Sequence, residues 1–446
     1  MSVARLKWRE PNGFVGRGTR VLLYSQSPVL SAVTTPETVW LSSLPGTLGR
    51  GPSDERMYVV DPKTDKAPYR FPDLPPFSGA VHAPVSISGQ GHLDHFETDT
   101  AEFRAAHIYG CLRHVLDIWE RYFGHHIPWH FAAHYARLEI VAWTDWDNAH
   151  SGYGFLEAGI GIADSGQRQH YALNFDVLAH ELGHSILYSR LGVPARGAAT
   201  QEYLALHEAF ADVIALISVL HFRDFDDRLL RSTGGNLYQL NELNRIAEMS
   251  DSEQIRVASN ALTMTDVAAG FGADVEACDE HRLGQPVTGA IFDVLVEVYS
   301  DRLRRSGVVA EDLLQASLQL DLSDHLEGAV QTRFAVMHGA AGSEFTAALE
   351  YARDYVGYAL AKVCLALTAN VTSFSEVHRA MRAADYELTD GRYAEIVSKC
   401  FNWRGIGYEQ TWPSTELTPI ENAKGRGKLP TRRTPYRARA HAAGLR

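Results

Sequence analysis

Long apolar runs are missing from this chain. Nowhere in its 446 residues do eighteen consecutive apolar side chains occur, which excludes an ordinary transmembrane helix. The opening stretch MSVARLKWREPNGFVGRG has no apolar core of secretory type, and VLLY is soon broken by Ser25, Gln26 and Pro28. A cytoplasmic setting is therefore the default expectation, with export by another route left open. Cysteine is also scarce: Cys111, Cys278, Cys364 and Cys400 show neither metal nor redox spacing. They are expected to be buried, reduced thiols rather than a disulfide framework. From Ala423 onward there is no acidic residue against eight Lys or Arg, so residues 416–446 are expected to form a basic, flexible arm. The first 422 residues hold 34 Lys and Arg against 54 acids. A body this acidic does not suit nucleic-acid binding, and no nucleic-acid partner is expected.

What is present is globular. A hydrophobic share of 45% and a charged share of 22% allow a sizeable core, and the length suits two to three domains or one large two-lobed one. Residues 1–95 are rich in Pro and Gly with short runs such as RVLLYS and MYVVD, which predict short strands and loops. Residues 96–200 mix a helical pattern (AEFRAAHIYGCLRHVLDIWERYFG), a strand (RLEIVAWT) and a glycine-rich hairpin or edge strand (SGYGFLEAGIGIAD). Residues 201–415 read as mostly helical, with one helix expected over TGAIFDVLVEVYSDRLRRS. Strands first and helices later predict an α+β fold.

The chemistry concentrates in FDVLAHELGHSILYSRLGVPARGAATQEYLALHEAFADVIAL, residues 175–216. On a helix, positions i and i+4 share a face, so His180 and His184 can offer two imidazoles to one ion. Glu181 borders the same place, where a carboxylate can take a proton from an attacking water. Zinc needs a third protein ligand, and a catalytic site keeps its fourth position open. Glu208, on the next helical pattern, supplies that ligand. Asp212, one turn further, can accept a hydrogen bond from the outer nitrogen of a ligand histidine. A closed structural site would more often use cysteines, and none lies nearby in sequence.

These residues resemble the gluzincin metallopeptidases of the thermolysin family, in which an HExxH helix is followed by a helix carrying ExxxD. DVLAHELGH is very close to that pattern, and WDNAH resembles the family's edge strand, where Asn148 and Ala149 would hold substrate backbone. SFSEVHRAMRAADYEL and YAEIVSKCFNWRGIG resemble its closing helices. The likeness runs from about residue 100 to 408 and is strongest over 174–216; residues 1–95 match nothing in the family. It implies a two-lobed zincin with a mixed α/β first lobe, a mostly helical second lobe and the HExxH helix between them. It also implies one Zn²⁺ on His180, His184 and Glu208, Glu181 as general base, and a peptide or protein substrate.

The chain departs from the family in three places. Where a transition-state histidine is expected, GQPVTGAIFD places Gln285, with His281 four residues earlier as the other candidate. The family's tyrosine between the zinc motifs has no secure counterpart. The acids that would bind calcium beyond the Glu motif are mostly absent, so calcium stays a weakly founded alternative beside zinc. Three function classes follow: a zinc peptidase, more an endopeptidase than an exopeptidase; a zinc-binding, peptidase-like module of weak or no activity; and a zinc hydrolase of a non-peptide amide.

Overall fold

The computed structural model describes residues 14–30, 32–33, 35–64, 66–70, 73–162, 168–195, 198–239, 241–250, 253–268, 280–318, 324–370, 372–407 and 427–428. Cys278 and nearly all of the basic arm lie outside the described residues. The chain is mixed α/β, about half helical, with small sheets, and it divides near Val193 into two compact units, with Ala247–Glu253 grouping with the first. None of the described helices is long and apolar enough by itself to cross a membrane.

In the first unit, β1 (Thr19–Leu23) and β2 (Glu37–Leu41) form an antiparallel pair with Thr19 opposite Leu41. Val21, Leu23 and Leu41 are fully buried, while Arg20, Leu22 and Trp40 between them are only partly covered. That alternation is what a sheet with one buried face requires. The buried side lies on α1 (Ala101–Phe123). A side chain at Gly110 would come within 2.8–2.9 Å of Leu23 and Val21, so glycine allows this close approach. Thr100 caps α1 by accepting from the Phe103 N–H, and Gly124 ends it at φ 76°.

A larger sheet follows. β3 (Met57–Val60), β4 (Leu138–Thr144), β6 (Phe155–Ile162) and β5 (Ala149–Gly152) are neighbours in the order β3-β4-β6-β5, and β7 (Arg168–His170) also pairs with β6. β3, β4 and β6 run parallel, whereas β5 is antiparallel to β6. Two buried carboxylates tie a proline-rich loop to the sheet. Glu139 accepts from the Tyr58 and Tyr69 hydroxyls and the Phe77 N–H. Glu157 takes Lys66, the Tyr69 N–H and His150. This pairing matters because a buried carboxylate without partners is costly. The segment before residue 95 thus contributes a strand to the sheet and two to the cover of α1. The unit ends with α2 (Phe175–Leu191), which packs on α1 and β5.

The second unit is nearly all helix: α3 (Gln201–Val219), α4 (Arg223–Thr233), α5 (Met264–Ala268), α6 (Glu280–Arg305), α7 (Glu311–Ser317), α8 (Asp324–Ala340), α9 (Gly342–Ala366), α10 (Phe374–Thr389) and α11 (Ala394–Trp403). Apart from these helices, β8 (Arg245–Ser250), β9 (Glu253–Val257) and β10 (Gly427–Lys428) form a small three-stranded sheet. α6 is central, packing against α3, α9 and α11. It also starts earlier than the apolar pattern from Thr288 suggests, and runs through Pro286. Proline removes one backbone donor there. Close packing offsets that local preference: a Cβ at Gly284 would lie 2.5 Å from the Ala205 carbonyl oxygen, so only glycine lets this turn of α6 rest on α3. Cys111, Cys364 and Cys400 are buried.

Candidate metal centre

α2 begins at a buried cap. The Asn174 side chain accepts from the Val177 N–H at 3.3 Å, and Asp176 occupies the first turn, where a carboxylate suits the helix dipole. Leu178, Leu182, Ile186 and Leu187 are fully buried and fix the rotation of the helix. His180 and His184 then stand on one face with their Nε2 atoms 3.1 Å apart and their ring planes at 89°. Ligand atoms bonded tetrahedrally to zinc at ~2.0–2.1 Å are separated by roughly 3.3 Å. The histidine pair therefore already has the spacing of two zinc ligands.

α3 is capped by Thr200, which accepts from the Tyr203 N–H at 3.1 Å. Glu208 lies in its middle, and one Glu208 oxygen is 2.6 Å from Nδ1 of His281, in the first turn of α6. Asp212 sits one turn beyond Glu208 and is 1% exposed. His180, His184 and Glu208 form a group that could hold a metal ion, each offering a ligand atom within 4.8 Å of the others. Two neutral imidazole nitrogens and a carboxylate oxygen are a donor set that suits zinc.

Glu181 is positioned by a residue that the sequence motifs did not single out. Ser151 on β5 donates to the same carboxylate oxygen of Glu181 twice, from its N–H at 2.9 Å and from its hydroxyl at 3.2 Å. The Ser151 N–H therefore faces away from β6. Peptide groups two residues apart along a strand face the same way, so Ala149 shares this outer edge. Its N–H is taken by the Asn148 side-chain oxygen at 2.9 Å. A glycine at 159 is required beside this strand, because a Cβ there would lie 1.8 Å from the Trp146 carbonyl oxygen. Period-2 reading outward from Ala149 was the signal that could have found Ser151.

Gln285 is not in a loop but in the second turn of α6, 8% exposed, with Asn260 donating to its side-chain oxygen at 3.3 Å. The histidines between residues 125 and 134 go separate ways. His125 contacts the Phe123 carbonyl, His126 pairs with Glu120, and His134 bonds the Tyr153 hydroxyl at 2.8 Å. His130 packs against the Tyr153 and Tyr188 rings, and burial pushes its pKa down to about 4.

No family model matches the chain, and no curated protein matches it. Among solved structures it is similar to the precursor of protealysin, a metalloproteinase from Serratia proteamaculans. The two share 16% identity, with 81% of this chain and 90% of that chain covered, at a TM-score of 0.41. At that identity and superposition, function has to be read from this chain's own residues.

Proposed function

We propose that the protein is a zinc-dependent endopeptidase of the gluzincin kind. The observation that carries this reading is the His180–His184–Glu208 group, whose two histidines share a helix with Glu181. Zinc held by those three side chains would supply Lewis acidity, making a water more acidic and a scissile carbonyl more electrophilic. Glu181 takes the proton of the attacking water and returns it to the leaving amine. Ser151 holds one oxygen of that carboxylate, so the base does not have to be ordered at each turnover. Asp212 orients a ligand histidine through its outer nitrogen. The outer edge of β5 at Asn148 and Ala149 binds the substrate as an added strand, an arrangement that accepts the chain on both sides of the cut. Because the Asn148 side chain occupies the Ala149 N–H, the entering peptide displaces it or uses the carbonyl alone.

The test joins elemental analysis to digestion of an unfolded protein mapped by mass spectrometry, with chelator and after zinc is restored. About one zinc per chain and chelator-sensitive internal cleavage are expected. Absence of stoichiometric zinc contradicts the reading. Zinc without cleavage turns it into the zinc-binding module.

A further inference from the structure

Gln285 belongs to a chain of hydrogen bonds in the second unit in which each partner's chemistry dictates the next one's orientation. Arg404 is fully buried, and its Nε and Nη2 donate to Asp293 at 3.0 and 2.7 Å. Nη1 donates to the Asn260 side-chain oxygen at 3.0 Å and to the Leu262 carbonyl at 2.9 Å, and Nη2 to the Asn260 carbonyl at 2.9 Å. Guanidinium only donates, so Oδ1 of Asn260 must face Arg404, and Nδ2 must face the other way. That Nδ2 donates to the Gln285 carbonyl at 2.9 Å and shares its other proton between the Val257 carbonyl at 3.2 Å and Gln285 Oε1 at 3.3 Å. The Gln285 amide is thereby oriented too: Oε1 is committed to Asn260, and Nε2 is directed elsewhere. Among the described residues Nε2 has no hydrogen-bond partner, although the side chain is 8% exposed. The device depends on Gly289, where a Cβ would lie 2.4 Å from the Arg404 guanidinium.

We propose that Asn260 and Arg404 are positioning residues that aim the Gln285 Nε2–H at the oxygen that gains charge when a peptide carbonyl is attacked. His281 has a different part. Its Nδ1 is 2.6 Å from Glu208, so it orients the ligand carboxylate rather than the substrate. Gln285 follows His281 by one helical turn on the same face of α6, which places it one turn from the His281–Glu208 contact. This inference rests on the peptidase reading and chooses between two donors that the sequence alone left equal.

The decisive variant is Asn260→Asp. Aspartate still receives Arg404 but can no longer donate to Gln285, so the Gln285 amide turns over and presents Oε1 where Nε2 had been. Two measurements follow. In protein labelled with ¹⁵N-glutamine, the side-chain NH₂ signal of Gln285, assigned by its loss in Gln285→Ala, should shift in Asn260→Asp. In peptide cleavage, kcat should fall ~10²-fold, as when an oxyanion donor is removed, with zinc content and KM unchanged. In the Gln285→Ala background, Asn260→Asp should add less than about twofold, since coupled residues are not additive. Should Asn260→Asp not fold, Gln285→Glu keeps the bond from Asn260 and replaces Nε2 by an oxygen. It should lose as much activity as Gln285→Ala, whereas a merely structural glutamine would tolerate it. An unmoved NH₂ signal, additive losses, or an active Gln285→Glu overturns the inference. A parent that holds zinc and cleaves nothing overturns its catalytic half together with the peptidase reading, while the NMR arm still decides the amide orientation.

Discussion

Mild acid should destabilise the first unit through one histidine in α1. His107 is fully buried; its Nε2 accepts from the Tyr24 N–H at 3.0 Å, so its Nδ1 donates to the Ala172 carbonyl at 2.8 Å. Both nitrogens are committed to the neutral ring, and burial pushes its pKa from 6.5 down to about 4. The unfolded chain takes up the proton near pH 6.5 and the folded one only near 4. The histidine's contribution is thus complete above pH 6.5 and is lost progressively as pH falls toward 4. At pH 5 one such group costs about 2 kcal/mol relative to neutral pH, rising to about 3 kcal/mol below both pKa values. His107→Gln keeps one donor and one acceptor and removes the titration. Urea unfolding followed by tryptophan fluorescence at pH 7.5 and 5.0 measures the difference. The parent should lose about 2 kcal/mol more than the variant on acidification. Equal losses would refute the assignment of this proton to His107.

Three further outcomes follow from the geometry. His184→Ala leaves two of three ligands and should purify with little zinc while keeping its helical circular dichroism; full zinc occupancy would sink the ligand set. Ser151→Ala removes the 3.2 Å hydroxyl bond to Glu181 but not the 2.9 Å backbone one, so kcat should drop by roughly fivefold, about 1 kcal/mol, with zinc retained. Deleting residues 1–90 strips Val21, Leu23 and Leu41 from α1 and β3 from its sheet. The product should be insoluble, and a soluble variant with unchanged melting would show that these strands are dispensable.

The elements near the candidate metal centre were legible because their signals are local. The i, i+4 histidines, the glutamate and aspartate one turn apart, and the apolar flanks all lie within 42 residues. The hairpin at residues 149–162 was legible from its glycines and alternation. What stayed hidden depends on distant partners. The bond from Arg404 to Asn260 spans 144 residues, and that from Lys66 to Glu157 spans 91. No periodicity reports such pairings. The early start of α6 was masked because Gly284 and Pro286 read as breakers, while the contact between Gly284 and Ala205 that makes glycine useful there is tertiary. Ser151 lies between these cases: strand parity put its N–H on the outer edge, but only the fold set Glu181 against it.

If Glu181 moves the proton, as proposed, Glu181→Gln should abolish most of the activity. Glutamine keeps the shape and can still accept from Ser151, yet it cannot serve as a base. Zinc-loaded parent and variant are to be compared on a broad peptide library by mass spectrometry, with metal content and melting temperature measured on the same samples. Equal zinc, similar melting and a ~10²–10⁴-fold fall in cleavage rate are expected for the variant. Equal cleavage by the two proteins would contradict the proposal.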